Sequence, residues 1–236
     1  MDWNIPSNCN KLYIDVGLSS EAIQSQSWLE KDPNIFVLGF EPSFEARGKI
    51  FMEYRSDHRW LKRECFPRIR VEECALSNPE KETSMTFYRP GIDVGCSSLL
   101  KPRPNSDGIS PQFNGVKEAY QVRVISLKEY FNKHNWLIEK FKRIEYIKID
   151  AQGSDLNIIK GGLDLIKEKV VWITAEGDGG YYKEDLIEEE DRCNGDNIRK
   201  IMKDIGFIER DHPNTTDPTF YNPKWADFES VFINQY

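Results

Sequence analysis

Short apolar runs alternate with segments of helical periodicity along most of the chain. The apolar runs predict strands at 12–16, 35–40, 68–75, 144–150 and 169–176. A helix is predicted at 196–205, and two further strands at 206–209 and 228–234. Strands that alternate with helices in this way are typical of an α/β domain whose mostly parallel sheet is covered by helices.

The segment 89–121 interrupts the alternation. It contains four prolines and several glycines, which predicts a long irregular excursion. Excursions of this length often form a lid or a wall of a binding site, although a variable surface insertion is an equally good interpretation.

Composition narrows the class of protein. The 236 residues, 39% of them apolar, predict a single domain spanning 1–236. A net charge of −7 without a dense basic run disfavours nucleic acid as a partner. No apolar run reaches the roughly 20 residues of a membrane span, and the N-terminus lacks the layout of a signal peptide, so we expect a cytoplasmic protein without membrane insertion. Five scattered cysteines predict reduced, structural thiols.

Candidate chemistry lies where the predicted strands end. The first strand ends in Asp15 and Gly17, and the second ends 24 positions after Gly17 in Glu41. A carboxylate there can accept hydrogen bonds from a ribose diol, whereas the second and third glycines of a dinucleotide fingerprint are absent. The fourth strand ends in Asp150, before a glycine turn and a helix, and the carboxyl ends of such strands form the ligand crevice.

These blocks resemble the FkbM-type family of S-adenosylmethionine-dependent methyltransferases. The resemblance is carried by four sequence blocks, 13–17, 39–42, 74–77 and 147–155, with Lys160 and Gly161 behind the last one. It implies a Rossmann-like, seven-stranded, mostly parallel sheet of the class I methyltransferase type, with helices on both faces and the last strand antiparallel. It also implies methyl transfer to a hydroxyl, often on a sugar or glycan.

The resemblance also implies a cofactor site for S-adenosylmethionine. Asp15 and Gly17 would lie beside the methionine part, Glu41 on the ribose, and the region of Ala75 to Ser77 near the adenine. The full set of candidate cofactor residues is Asp15, Gly17, Leu18, Ser19, Gln24, Ser25, Glu41, Pro42, Ser43, Ala75, Leu76, Ser77 and Asp150. Two departures stand out, because the family's glycine-rich first turn is absent and its common valine-glutamate pair after the aspartate is Ala151-Gln152.

Asp150 is the leading candidate to accept the proton of the attacking hydroxyl, and a structural aspartate that caps the next helix is the alternative. Asp150, Glu176 and Asp178 could together hold a hard cation such as Mg²⁺ or Mn²⁺, although the glycines around Asp178 equally suit a flexible turn. Glu176 and His212 are further catalytic candidates, but a histidine before proline is often simply exposed.

Three functions therefore remain open. The first is an O-methyltransferase whose acceptor is a small molecule or glycan with a sugar hydroxyl. The second is a nicotinamide-dependent oxidoreductase on a similar sheet, and the third is a non-catalytic glycan-binding module that kept the fold. The sequence leaves the identity of the sugar and the oligomeric state open.

Overall fold

The computed structural model of the chain describes residues 3–51, 61–91, 94–102, 115–177, 192–210 and 217–226. Within these ranges the strands form a seven-stranded sheet and a separate three-stranded sheet. The large sheet has the order β3-β2-β1-β7-β8-β10-β9. Its strands are β1 (Lys11–Val16), β2 (Ile35–Phe40), β3 (Ile69–Glu72), β7 (Ile144–Ile149), β8 (Val170–Ala175), β9 (Ile208–Arg210) and β10 (Thr219–Tyr221).

The pairing of the large sheet explains why its centre is apolar. The five strands β3, β2, β1, β7 and β8 are parallel, and β10 is antiparallel to β8 and to β9. Every residue of β2 and β8 is buried, as expected for strands covered on both faces. The predicted seven-stranded, mostly parallel sheet is therefore confirmed.

Helices cover both faces of the large sheet. The helices are α1 (Ile23–Lys31), α2 (Phe44–Ile50), α3 (Leu127–Lys133), α4 (Asn135–Phe141), α5 (Asp155–Lys160), α6 (Leu163–Lys169) and α7 (Gly195–Asp204), with 3₁₀ turns at Arg63–Arg68 and Val94–Cys96. Alternate residues of β1 belong to two different cores, because side chains along a strand point to opposite faces. Leu12 and Ile14 pack with residues of α3 to α7, whereas Tyr13 packs with Trp28 of α1.

The small sheet stands beside the large one. It consists of β4 (Ala75–Ser77), β5 (Thr83–Pro90) and β6 (Val116–Ser126) in the order β4-β6-β5. It meets the main fold closely at Gly161, where a Cβ would lie 2.2 Å from the carbonyl oxygen of Ser77. The backbone N–H of Lys128 also donates to the carbonyl of Gly161 at 3.0 Å, so this glycine joins α5 to both β4 and α3.

The structure corrects two details of the predicted elements. The predicted strand 68–75 is two strands, since the chain leaves the large sheet after Glu72 and enters the small one at Ala75. The predicted irregular segment 89–121 begins and ends in strands, because β5 extends to Pro90 and β6 starts at Val116. The strand predicted at 228–234 lies outside the described residues, and the antiparallel strand that the structure shows is β10.

The helices of the described ranges are all too short or too polar to cross a membrane.

The contact at Gly161 generates a stability prediction. Gly161→Ala should lower the free energy of unfolding by roughly 1–3 kcal/mol, because the new Cβ collides with backbone that has little room to move. Urea denaturation of the purified variant measures this change.

Gly48→Ala is the matched control. A Cβ at Gly48 in α2 meets nothing within 4 Å, so alanine should raise the free energy of unfolding by about 0.5–1 kcal/mol through helix propensity. Equal effects of the two substitutions would contradict the close approach at Gly161.

Candidate active site

A cavity opens where β1, β2 and β7 end at the carboxyl edge of the large sheet. It encloses about 490 Å³ of empty space, part of which is open to solvent. The lining residues are Val16, Gly17, Ser19, Phe40, Glu41, Pro42, Ala75, Leu76, Phe87, Gly95, Ser97, Leu99, Asp150, Ala151 and Ser154. Ligands of open α/β sheets bind at this edge, where the strand order reverses.

Glu41 stands at one side of the cavity with both carboxylate oxygens held by backbone. The N–H of Ser43 donates to its Oε1 at 2.7 Å, and the N–H of Ser19 donates to its Oε2 at 3.0 Å. The side chain is almost fully buried. Burial raises the pKa of Glu41 to about 7, against the opposing effect of these two hydrogen bonds.

The turn after β1 brings two strand ends into direct contact. Gly17 has a φ of 78°, and a Cβ on it would lie 1.9 Å from the carbonyl oxygen of Asp150. Only glycine fits both the left-handed backbone and this approach. Asp150 follows β7, and its N–H donates to the carbonyl of Val16 at 3.0 Å. Asp150 is therefore held beside the first turn by main-chain contacts.

The partly buried side chain of Lys148 lies beneath the turn, beside two carboxylates and a carbonyl. Its Nζ lies 3.2 Å from Asp150 Oδ2, 3.7 Å from Asp15 Oδ1 and 3.2 Å from the carbonyl oxygen of Gly17. Burial opposes its charge, but Asp15 and Asp150 outweigh that effect and raise the pKa of Lys148. The lysine is thus a fixed positive charge under the site.

Asp150 and Glu176 form a pair that is bridged by Gln152. The Nε2 of Gln152 donates to Asp150 Oδ1 at 2.8 Å and to Glu176 Oε2 at 3.0 Å. Burial would raise the pKa of Asp150, but Lys148 and Gln152 hold it below its usual value. Burial and the charge of Asp150 raise the pKa of Glu176 to about 9. At neutral pH the pair therefore holds one proton, on Glu176.

Asp155 joins the two strand ends that carry this pair. It is fully buried at the start of α5 and accepts from the N–H of Ala151 at 3.2 Å and of Glu176 at 3.1 Å. Burial and the neighbouring Asp150 raise its pKa to about 7. The sequence analysis gave Asp155 no role. Asp155 is the first residue of α5, directly after Ser154. An acidic residue in the first turn of a helix often accepts hydrogen bonds from free backbone N–H groups, so this position was the signal in the sequence.

The segment after β5 forms the wall opposite the strand ends. Gly95, Ser97 and Leu99 line the cavity. The buried Ser98 pairs through its backbone with Tyr88, and its Oγ donates to the carbonyl of Gln152 at 2.7 Å. The described part of the segment 89–121 is therefore attached to the turn that carries Asp150.

The predicted cofactor residues divide into two groups. Seven of them line the cavity: Gly17, Ser19, Glu41, Pro42, Ala75, Leu76 and Asp150. The remaining six do not: Asp15, Leu18, Gln24, Ser25, Ser43 and Ser77.

Most of these six have other contacts. Asp15 is fully buried and accepts from Ser25 Oγ at 2.6 Å, Leu18 packs against Gly39, and Ser43 caps α2. Gln24 is exposed on α1. Ser97 and Leu99 belong to the segment 89–121, for which a wall of a binding site was one of the two interpretations. Phe87 was not predicted, because no local pattern indicates that β5 reaches this cavity.

The described residues do not fit the predicted metal ion. No three or more His, Cys, Asp or Glu residues of the described ranges converge on a point that could hold one. Asp178 and His212 lie outside the described residues. Asp150 and Glu176 do lie close together, but Gln152 contacts both of them with an amide N–H group rather than with a third oxygen ligand.

The described seven-stranded, mostly parallel topology matches what the resemblance implied. The family model of the FkbM methyltransferase domain matches residues 24–209. The chain belongs to this family. The matched range contains Glu41, Asp150 and Glu176 and begins after β1. A search of curated proteins found no match to the chain.

The protonated Glu176 generates a prediction for the pH dependence of stability. Its pKa is about 9 in the folded protein and near 4.5 when unfolded, so its contribution to stability is complete at low pH and is lost as pH rises through about 9. Between pH ~6 and ~8 the stability of the wild type should fall by up to about 1.4 kcal/mol per pH unit from this group alone. Glu176→Gln should remove that part of the slope in urea denaturation.

Glu168→Gln is the control for this measurement. Lys224 lies 3.0 Å from Glu168 and lowers its pKa, so Glu168 stays ionised in both states over this range. Its replacement should leave the slope unchanged. A Glu176→Gln protein with the slope of the wild type would show that Glu176 is ionised in the folded state.

Proposed function

We propose that this FkbM-family protein is an S-adenosylmethionine-dependent O-methyltransferase that acts on a hydroxyl group of a sugar or glycan. The observation that carries the proposal is a single cavity with Glu41 at the end of β2 and Asp150 at the end of β7. One carboxylate is suited to a ribose diol and the other to an acceptor hydroxyl. The two chemical requirements of the reaction therefore meet in one space.

The cavity suits a nucleoside cofactor. Phe40, Leu76, Phe87 and Leu99 provide apolar walls for an adenine ring. Glu41 keeps free lone pairs on both oxygens after accepting one backbone N–H on each, so it can accept from the two ribose hydroxyls. The cofactor supplies an electrophilic methyl group on a sulfonium.

Asp150 has the properties that a proton acceptor for the attacking hydroxyl needs. Lys148 and Gln152 keep it ionised, and it lines the cavity. The hydroxyl oxygen attacks the methyl carbon in line with the bond to sulfur, so the protein's work is to orient that oxygen and accept its proton. Asp150 would take the proton that the hydroxyl loses, and the thioether of S-adenosylhomocysteine would be the leaving group.

The acceptor is inferred from the polarity of the site. Asp150 lines the cavity and is held ionised, so it offers hydrogen-bond acceptors to the hydroxyls of a sugar. The carboxylate charge of Asp150 would repel an anionic acceptor. A neutral, hydroxyl-rich molecule therefore fits best.

Replacement of Asp150 tests the proposed chemistry. Asp150→Asn should lower kcat for methyl transfer by about 10²- to 10⁴-fold, because the amide cannot accept the proton. Transfer from labelled S-adenosylmethionine to a panel of mono- and oligosaccharides measures it. Affinity for S-adenosylhomocysteine, measured by calorimetry, should persist. A variant that transfers methyl groups as fast as the wild type would make Asp150 structural, and no cofactor binding by folded wild type would refute the function itself.

The raised pKa of Glu41 predicts pH-dependent cofactor binding. The ionised carboxylate accepts from both ribose hydroxyls, so affinity for S-adenosylhomocysteine should be full above pH ~7 and fall by up to about tenfold per pH unit below the pKa. Calorimetry at pH 5.5, 6.5 and 7.5 would measure it. Glu41→Gln should bind more weakly at pH 7.5 and with less dependence on pH. The same dependence in both proteins would exclude Glu41 as the titrating group.

A further inference from the structure

The side chain of Gln152 occupies the space between the two carboxyl groups of the site. One Nε2 donates to Asp150 at 2.8 Å and to Glu176 at 3.0 Å, which uses both of its protons. Because Asp150 is held ionised and can only accept, the nitrogen rather than the amide oxygen faces the pair. The sequence analysis noted Gln152 only as a departure from the glutamate common at this position.

The backbone of Gln152 is also held in an unusual conformation. Its φ is 53°, in the left-handed region that costs a non-glycine residue roughly 1–2 kcal/mol. Its carbonyl accepts from Ser98 Oγ at 2.7 Å, so the cavity wall and the carboxyl pair are fixed at one residue. A strained residue that is held from both ends is typical of a functional site.

We propose that Gln152 is a positioning residue whose amide takes the place between Asp150 and Glu176 that a divalent cation would need. It fixes both carboxyl groups beside the cavity by hydrogen bonds. This inference rests on the proposed methyl transfer, because it holds that the neutral side chain of Gln152 aligns Asp150 for that reaction.

The surrounding charges explain why a neutral donor suffices. Lys148 on β7 faces Asp150, and Asp15 on β1, Asp155 on α5 and Asp217 before β10 add negative potential to the cluster. Glu176 stays protonated in this field, and Asp150 retains a charge that Lys148 balances. A third carboxylate in place of the amide would be unbalanced, and a hard cation or another proton would then have to offset it.

Gln152→Met tests the positioning role. Methionine keeps the length of the side chain and the same backbone requirement but donates no hydrogen bond. We expect kcat to fall by roughly 10- to 100-fold, since a small misplacement of a reacting group is enough for such a loss. The Kd for S-adenosylhomocysteine should change less than about twofold, because Gln152 does not line the cavity. An unchanged kcat, or equal losses of kcat and cofactor affinity, would overturn the proposal.

Gln152→Glu tests whether the amide of Gln152 stands where a cation would bind. The test is read from thermal stability and requires no enzymatic activity. The free variant should lose thermal stability in EDTA and regain about 5 °C in Tm on saturation with Mn²⁺, because three carboxylates now meet at one point. The wild type should show no such response. Asn135→Asp is the matched control, since it exchanges an exposed amide beside Glu139 for a carboxylate on α4. Its Tm should not respond to Mn²⁺.

Two results would overturn the cation part of the proposal. One is Mn²⁺ binding to the wild type that Asp150→Asn abolishes, and the other is a Gln152→Glu protein whose Tm ignores Mn²⁺. Calorimetry of the wild type with S-adenosylhomocysteine is done first. If it shows no binding, the proposed function fails, whereas the Mn²⁺ response of the free proteins still decides whether Gln152 fills a cation's place.

Discussion

The partly buried ammonium of Lys148 makes the contacts on which the rest of the site depends. It lies within 3.7 Å of Asp15 and closer to Asp150 and the carbonyl of Gly17, so it joins the ends of β1 and β7. Without it, Asp150 would lose the positive charge that holds its pKa down, and the cost of its desolvation would no longer be offset by that charge. Lys148 thereby balances the acidic side chains at the ends of β1 and β7, next to a cavity whose walls are partly apolar.

The same lysine explains why similar carboxyl groups take different protonation states. Asp150 is next to the ammonium and stays ionised, whereas Glu176 is bridged to Asp150 by an amide and keeps its proton. Glu41 is farther along the edge of the sheet, where burial rather than a charged neighbour dominates. The three acidic residues at the strand ends thus differ in role. Asp150 is suited to act as a base, Glu176 as a hydrogen-bond donor, and Glu41 as an acceptor that titrates near neutral pH.

Much of this could be predicted from the sequence, for physical reasons that apply to particular elements. β2 and β8 are nearly continuous apolar runs, because strands buried on both faces need them, and β1 and β7 are mainly apolar with a few charged residues. The ends of β2 and β7 place Glu41 and Asp150 on one edge. β5 and β6 were not predicted, since most of their outer residues are exposed and lack an apolar run. The division of 68–75 was missed because a local pattern cannot tell which sheet a strand joins.

The contacts of Gln152 also could not be predicted from a local pattern, and they change how the departure from the family pattern is interpreted. In the sequence, a glutamine where glutamate is common indicates a lost acid. Its meaning depends on Glu176, which is 24 positions away and reaches Gln152 only because β7 and β8 are neighbours in the sheet. An amide there does what a carboxylate could not: it donates to two acidic groups at once, without adding a negative charge beside Asp155. The substitution is therefore consistent with a site balanced by Lys148, in which one more carboxylate would be in excess.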